Sequence, residues 1–355
     1  MINRSHREKQ ERRFLCSLKS RSFFLLFLGG LLVLCIMVSM TLGKYPVSME
    51  EVWTITKHLF FPGNGKLGES LLTAQTVLLD IRAPRLAAAV LIGAALSVSG
   101  ASFQAMFVNP LVAPGILGVL PGASFGAALG LLIGDSWFEV QLFSFTGGLV
   151  AVLIAMFLAG MYKGDKLMVL ILGGIISGSL FTSLLSVVKY TADPTDELPA
   201  IVYWLMGGLS MVNGKTVLFT AVPIVAGIIG ILGMSRLLNV LSMGDEEARA
   251  LGVNVKAVRA GLIFLTTVVS ALTVAIGGLI GWVGLVIPHV GRMIVGPDNS
   301  ILLPTVALVG GMYLLVADDI SRLLLDVEIP LGIITSLVGI PFFSIIMKNA
   351  RQGWK

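Results

Sequence analysis

Apolar runs of membrane-crossing length, separated by short polar segments, dominate the chain. The first covers 23–43 and carries no charge. Others follow at 84–107, 113–134, 140–160, 166–188, 216–234, 255–280, 301–323 and 331–347. A helix needs about 20 residues to cross a hydrocarbon core of ~30 Å, so each run predicts a span. The run at 281–295 has only about 15 residues, so hydropathy alone admits nine or ten crossings. Segment 200–209 is apolar but too short to cross and predicts a half-helix. Two polar segments, 44–81 and 189–199, predict external loops, the first with a short amphipathic helix at 50–61.

Parity settles the count at ten. Seven basic residues (Arg4, Arg7, Lys9, Arg12, Arg13, Lys19 and Arg21) precede the first run, and the end of the chain carries Lys348, Arg351 and Lys355. Basic residues favour the cytoplasmic side, so both termini are expected inside. This topology puts 17 Lys and Arg inside and 8 outside, with 7 acids inside and 13 outside. The first run exceeds a signal-peptide core and no small-residue cleavage site follows it, so it is expected to stay as a span. The expected organisation is a basic cytoplasmic tail (1–22), one transmembrane domain (23–348) and a second tail (349–355).

With 56% hydrophobic and 13% charged residues, the chain is an all-α polytopic membrane protein rather than a soluble domain. The ten-residue alternation of a membrane β-barrel is missing. Cys16 and Cys35 offer no disulfide framework, and His6, His58 and His289 are scattered, so no metal site is expected. The net charge of +5 follows the membrane sides and points to no nucleic acid.

Polar exceptions carry the candidate chemistry. Stretch 241–253, L-S-M-G-D-E-E-A-R-A-L-G-V, is acidic and lies between two spans on the inner side. Gly244 and Asp245 predict a helix start with Asp245 as N-cap. Glu246 and Glu247 then sit in the first turn, and Gly252 is the stop. Ala248, Ala250 and Leu251 form one apolar side. A helix of two turns is not stable alone in water and must pack against something. A plain connector between spans is the competing reading. At the outer side Arg82 and Arg85 flank Pro84, expected in the first turn of the second span. Arg322 follows Asp318 and Asp319 near the outer end of the ninth. Charges so close to a membrane core face protein or water, as an internal ion pair, a docking patch or a proton relay.

Other constellations carry less. Gly208–Thr216 imitates a phosphate-binding loop, but five residues separate Gly208 from Gly214 where four are required, so no nucleotide hydrolysis is expected in this chain. An intramembrane protease using Ser97, Ser99 or Ser102 with His289 lacks an oxyanion loop and an orienting acid. Gly118, Gly122, Gly126, Gly130 and Gly134 form a stripe suited to close helix packing. Pro121 and the Gly277, Gly278, Gly281 and Gly284 group predict broken helices of the kind that line transport cavities.

Several long motifs, in order, resemble the FecCD-type permeases, the membrane subunits of binding-protein-dependent ABC importers for iron–siderophores, haem and cobalamin. They are R-A-P-R-L…N-P-L-V-A-P-G-I-L-G-V (82–119), W-L-M-G-G-L (204–209), M-G-D-E-E-A-R-A-L-G-V (243–253), G-L-I-G-W-V-G-L-V-I-P-H-V-G-R (278–292), A-D-D-I-S-R (317–322) and I-P-L-G-I-I-T-S-L-V-G-I-P-F-F (329–343). Gly208 departs from the family's usual Ser. The resemblance implies a homodimer in a bacterial or archaeal plasma membrane, two ATP-binding subunits on the cytoplasmic side, an extracytoplasmic substrate-binding protein, and ATP used only by the partner ATPase. It makes Gly244–Gly252 the ATPase contact, Arg82, Arg85 and Arg322 the binding-protein dock, and Asn109, Pro110 and Leu111 an inner constriction. It also makes the fifth span a pathway lining. Lys163-Gly164-Asp165 replaces the small hydroxyl residues that form a second inner gate in some relatives. The cargo stays open between a metal chelate and an oxyanion such as molybdate. An ion-coupled secondary transporter using Asp318, Asp319 and Arg322 is the mechanistic competitor.

Overall fold

A computed structural model describes residues 2–61, 68–134, 136–162 and 166–350. Every regular element among them is helical. In chain order they are α1 (Ile2–Thr41), α2 (Met49–Phe60), α3 (Glu69–Thr76), α4 (Ala83–Met106), α5 (Val119–Ile133), α6 (Trp137–Met161), α7 (Lys166–Thr191) and α8 (Glu197–Leu205). They continue with α9 (Gly214–Gly233), α10 (Ser235–Leu241), α11 (Asp245–Ala250), α12 (Val255–Gly277), α13 (Val283–Val295), α14 (Asn299–Leu323) and α15 (Leu331–Ala350). Seven stretches among the described residues are long and apolar enough to cross a membrane, and α5, α13 and α15 are shorter apolar helices. Successive crossings alternate between an end bearing Arg82, Arg85 and Arg322 and an opposite end bearing α10 and α11.

α4 is the central pillar, and α1 lies at the periphery with most of its surface open to lipid. Close approach is set by glycine rather than by large side chains, because lipid supplies no hydrophobic drive between helices. A Cβ on Gly122 would strike the Gly147 carbonyl, one on Gly126 the Phe143 carbonyl, and one on Gly130 would lie 2.8 Å from Val140 Cα. That part of the glycine stripe is the α5–α6 seam. Gly93 and Gly310 bring α4 against α14 in the same way.

Two expected boundaries change. The second span does not begin at Pro84: one helical stretch runs from Glu69 to Met106, with a π turn at Val77–Arg82. Pro84 has no N–H and its ring crowds the carbonyl one turn back, and the wider turn just before it makes room, with Ala83 N–H donating to Leu78. The third span is not broken at Pro121, which sits in the first turn of α5 where an N–H has no helical partner anyway. The break falls at Gly118, whose φ of 87° is left-handed, after a 3₁₀ turn at Pro114–Leu117.

The short crossings have a common explanation. α8 stops at Leu205 and the chain turns back into α9, while α12 ends at Gly277 and α15 starts at Leu331. These broken ends meet. Gly208 N–H donates to Gly277 O (2.9 Å), Leu331 N–H to Gly207 O (2.9 Å) and Gly332 N–H to Met206 O (3.1 Å). Gly207 (φ 72°) and Gly278 (φ 66°) take left-handed turns here, and a Cβ on Gly207 would come within 2.5 Å of Leu279 O. Because α13 and α15 start from this junction, neither needs a full membrane-crossing length.

Gly126→Leu should destabilise the α5–α6 seam by about 1–3 kcal/mol, read as a lower thermal midpoint in detergent. Gly29→Leu on α1, where an added Cβ meets nothing within 4 Å, should leave the midpoint unchanged. Equal effects of the two would refute the seam.

Candidate functional site

Arginines from two helices converge at one end of the bundle. Arg85 Nε lies 2.9 Å from Asp318 Oδ1, and its Nη1 lies 2.8 Å from Glu328 Oε1. Arg322 pairs with Asp319 and, at 3.5 Å, with Asp318 Oδ2. Ser39 Oγ donates to Asp319 Oδ2 at 2.5 Å. The remaining donors cap the end of α1. Arg322 donates to Leu42 O (2.8 Å) and Ser39 O (3.2 Å), and Arg82 to Met40 O (2.6 Å) and Tyr45 O. Cations at a helix C-terminus satisfy orphan carbonyls and suit the negative end of its dipole.

This geometry holds the three arginines expected at a binding-protein dock in a network within the chain. Arg82, Arg85 and Arg322 are 4%, 7% and 7% exposed, and their donors are directed inward, to acids and carbonyls of this same chain. The internal ion pair is the arrangement realised. Asp318 is wholly buried against two guanidinium groups. Glu328, the second partner of Arg85, was missed by sequence reasoning. The signal available was an excess of acids at the predicted outer end.

α11 occupies the opposite end. Asp245 is its first residue and not its N-cap; Gly244 (φ 121°) holds the cap position and makes no side-chain hydrogen bond. The Asp245 carboxylate is drawn off into a bidentate pair with Arg259 of α12 (2.9 and 2.5 Å), with Arg249 at 3.5 Å. The helix ends on Gly252 (φ 80°), as expected. Val253 N–H donates to Ala248 O (3.0 Å) and Gly252 N–H to Arg249 O (2.9 Å), the paired bonds of a Schellman stop. Ala248 is fully buried in this chain's own core. Glu246, Glu247, Ala250 and Leu251 are outward, Leu251 with 62% of its surface exposed.

A polar hub ties α10 to the start of α14. Asn239 on α10 donates to Asp298 Oδ1 (2.8 Å) and accepts from Asn299 N–H (2.8 Å), while Arg21 pairs with Asp298 Oδ2 (2.9 Å). Partial burial pushes the Asp298 carboxyl up, but hydrogen bonds from Asn239 and Ser300 and the Arg21 contact outweigh it and hold the group below the usual carboxylate range.

The N-P-L segment follows α4 as a tight turn. Asn109 Oδ1 accepts from Leu111 N–H (2.9 Å), Val108 is left-handed (φ 49°), and Pro110 keeps the turn rigid. Leu111 projects into open space. Residues 163–165, where a second inner gate was in question, lie outside the described residues. In the loop between α7 and α8, Asp193 accepts from the Thr195 hydroxyl, its N–H and Asp196 N–H, which hold its carboxyl below the usual range.

Two cavities flank the backbone junction. One, of about 140 Å³, is lined by Trp137, Tyr203, Trp204 and Met211; the other, of about 520 Å³, by Leu120, Met206, Leu279, Ser336 and Leu337. No charged side chain lines either. Ser97 and Ser102 donate to carbonyls of their own helix (2.7 and 2.8 Å), and no hydrogen bond joins them or Ser99 to His289. Gly208–Thr216 is a turn ending in an N-cap, Asn213 Oδ1 accepting from Thr216 N–H at 2.9 Å.

Asp318→Asn should cost about 3–5 kcal/mol of stability, because it leaves Arg85 buried without its main counter-charge. The double variant Arg85→Met, Asp318→Leu should recover most of that loss in a thermal melt. A single variant with unaltered stability would overturn the latch.

The FecCD transport family matches residues 31–349. The molybdate import system permease protein MolB of Haemophilus influenzae is 36% identical over 91% of this chain and 94% of its own length. The hemin transport system permease protein HmuU of Yersinia pestis is 33% identical over 92% and 96%. A solved inward-facing structure of an ABC transporter assigned to the metal-chelate type superposes with a TM-score of 0.82 at 36% identity, covering 92% of this chain and 99% of that one. This chain belongs to the FecCD transport family and is a multi-pass permease subunit of a prokaryotic ABC importer.

Proposed function

We propose that two copies of this chain form the membrane pathway of an importer for a metal chelate of the siderophore, haem or cobalamin type. Each copy crosses the membrane ten times with both termini and α11 on the cytoplasmic side. The division of 17 basic residues inside and 8 outside supports that orientation. A substrate-binding protein delivers cargo at the arginine end, and two ATP-binding subunits engage the opposite face. ATP is used by those subunits, and this chain binds no cofactor of its own.

The observation that carries this reading is the construction of α11. Its inner side is fixed by Ala248 and the Asp245–Arg259 pair, and its stop is locked by Gly252, while Leu251 and Ala250 are left bare. A rigid, presented apolar edge suits insertion into a groove of an ATPase, and Glu246 and Glu247 beside it suit basic groups at the rim. ATP-driven closure of the ATPase pair then displaces α11, and with it the inner ends of α10 and α12. The Asn109-Pro110-Leu111 turns of the two copies form the inner constriction, with Leu111 as the closing side chain. The apolar cavities beside the junction hold cargo weakly, so affinity resides mostly in the binding protein.

The similarity to HmuU and to the metal-chelate-type structure supports a chelate as cargo. The similarity to MolB supports a second reading, an oxyanion of the molybdate class. Proteoliposomes holding the permease, its partner ATPase and its binding protein separate these: ferric-chelate uptake should require ATP and resist excess molybdate. Competition by molybdate would favour the second reading. Uptake driven by a proton gradient alone would sink both and favour the secondary transporter.

Leu251→Asp should reduce uptake at least about tenfold and uncouple ATP hydrolysis, with an unaltered thermal midpoint, since the side chain supports nothing inside this chain. Wild-type uptake by that variant would return α11 to a mere connector.

A further inference from the structure

α2 is built to be a helix in its own right. Ser48 Oγ accepts from Glu51 N–H (3.2 Å), and the Glu51 carboxylate accepts from Ser48 N–H (2.8 Å), a reciprocal capping box. One face, Val52 and Ile55, packs on Val47, Ala74 and Leu78. The opposite face carries Met49, Trp53 and Lys57 at successive turns, all exposed among the described residues. Trp53 is 69% exposed. That leaves a large indole open on a helix whose other face is already satisfied.

The depth of this helix follows from α1. Its apolar crossing, Arg21–Thr41, spans ~30 Å at 1.5 Å per residue, the thickness of a hydrocarbon core. Its last turn therefore marks the edge of that core. Met40, in that turn, packs against the same cluster that receives Val52 and Ile55. α2 thus lies about one side-chain layer above the edge, in the headgroup zone. The exposed apolar surface of α1, which meets lipid, continues in chain order through Leu42, Tyr45 and Met49 to Trp53.

We propose that α2 lies on the lipid surface of the leaflet at the arginine end, with the Trp53 indole seated among headgroups and the Lys57 ammonium on lipid phosphate. An amphipathic ring with an apolar body and one N–H donor favours that zone, and a lysine one turn away suits anionic phosphate. Anchored so, α2 fixes the level of α3 and, through the continuous helix, of the arginine latch at the head of α4. The proposal needs only that α1 crosses the membrane and is independent of cargo, dimerisation and the sidedness of the termini.

The test uses the full chain in nanodiscs, with Cys16→Ser and Cys35→Ser, and Trp53→Cys labelled with an environment-sensitive fluorophore. Asp196→Cys, on the exposed loop before α8, serves as the reference. Headgroup-nitroxide lipid should quench the label at 53 at least about twofold more than at 196, and aqueous iodide should do the reverse. Adding Lys57→Glu should reduce quenching at 53 in anionic nanodiscs. Equal iodide access at both positions with no lipid quenching would overturn the proposal. Iodide access at 53 that is lost on adding the purified binding protein would also overturn it, and would make α2 a protein dock.

Discussion

Hydrocarbon cannot hydrogen-bond, so every backbone amide placed at membrane depth must find its partner within the protein. This constraint shapes the junction of α8, α12 and α15 more than any side chain does. Three helices stop short there, and the amides and carbonyls released at their ends pair with one another: Gly208 with Gly277, Leu331 with Gly207, Gly332 with Met206. Glycine is needed because the paired backbones come closer than a Cβ permits, not because the chain must be flexible. The result is irregular backbone inside a membrane protein, tied by its own hydrogen bonds and flanked by two apolar cavities.

Charge obeys the same rule. Charges near a membrane core would be costly singly, yet here Arg85 and Arg322 pair with Asp318, Asp319 and Glu328, while Arg82 and Arg322 cap carbonyls at the end of α1. The cluster ties α1, α4, α14 and the α14–α15 loop at one level. The arginines spend their donors inside the chain, and Glu328, at this same end, is the more open partner of Arg85.

The all-helical class, the spans and the existence of α2 and α11 were legible because they rest on local patterns: apolar runs of fixed length, a capping pair and a terminal glycine. The glycine stripe at 122, 126 and 130 was legible for the same reason. What was not legible depends on distant partners. Asp245 looks like an N-cap until Arg259, a turn into the next helix, claims its carboxylate. Arg85 looks free until Asp318, 233 positions away, meets it. Ala248 and Leu251 share one apolar side in a helical projection, and only the packing of α10 and α12 separates the buried residue from the bare one.

The same fastenings bear on how force could travel. α12 is held at one end by the Asp245–Arg259 pair and runs at the other into Gly277 and Gly278 of the junction. α14 is held at one end by the Asn239–Asp298–Asn299 hub and at the other by the arginine latch. A helix fixed at both ends and packed along glycine seams resists bending, so a push on α11 would move α12 as a unit. The compliant element is then the junction, where backbone hydrogen bonds join three segments beside two apolar cavities. Breaking or exchanging those bonds costs little if each amide finds another carbonyl nearby, whereas reorganising the latch would expose buried charge. Motion in the proposed cycle is therefore expected at the junction beside the apolar cavities, with the arginine end as the fixed frame against which it occurs.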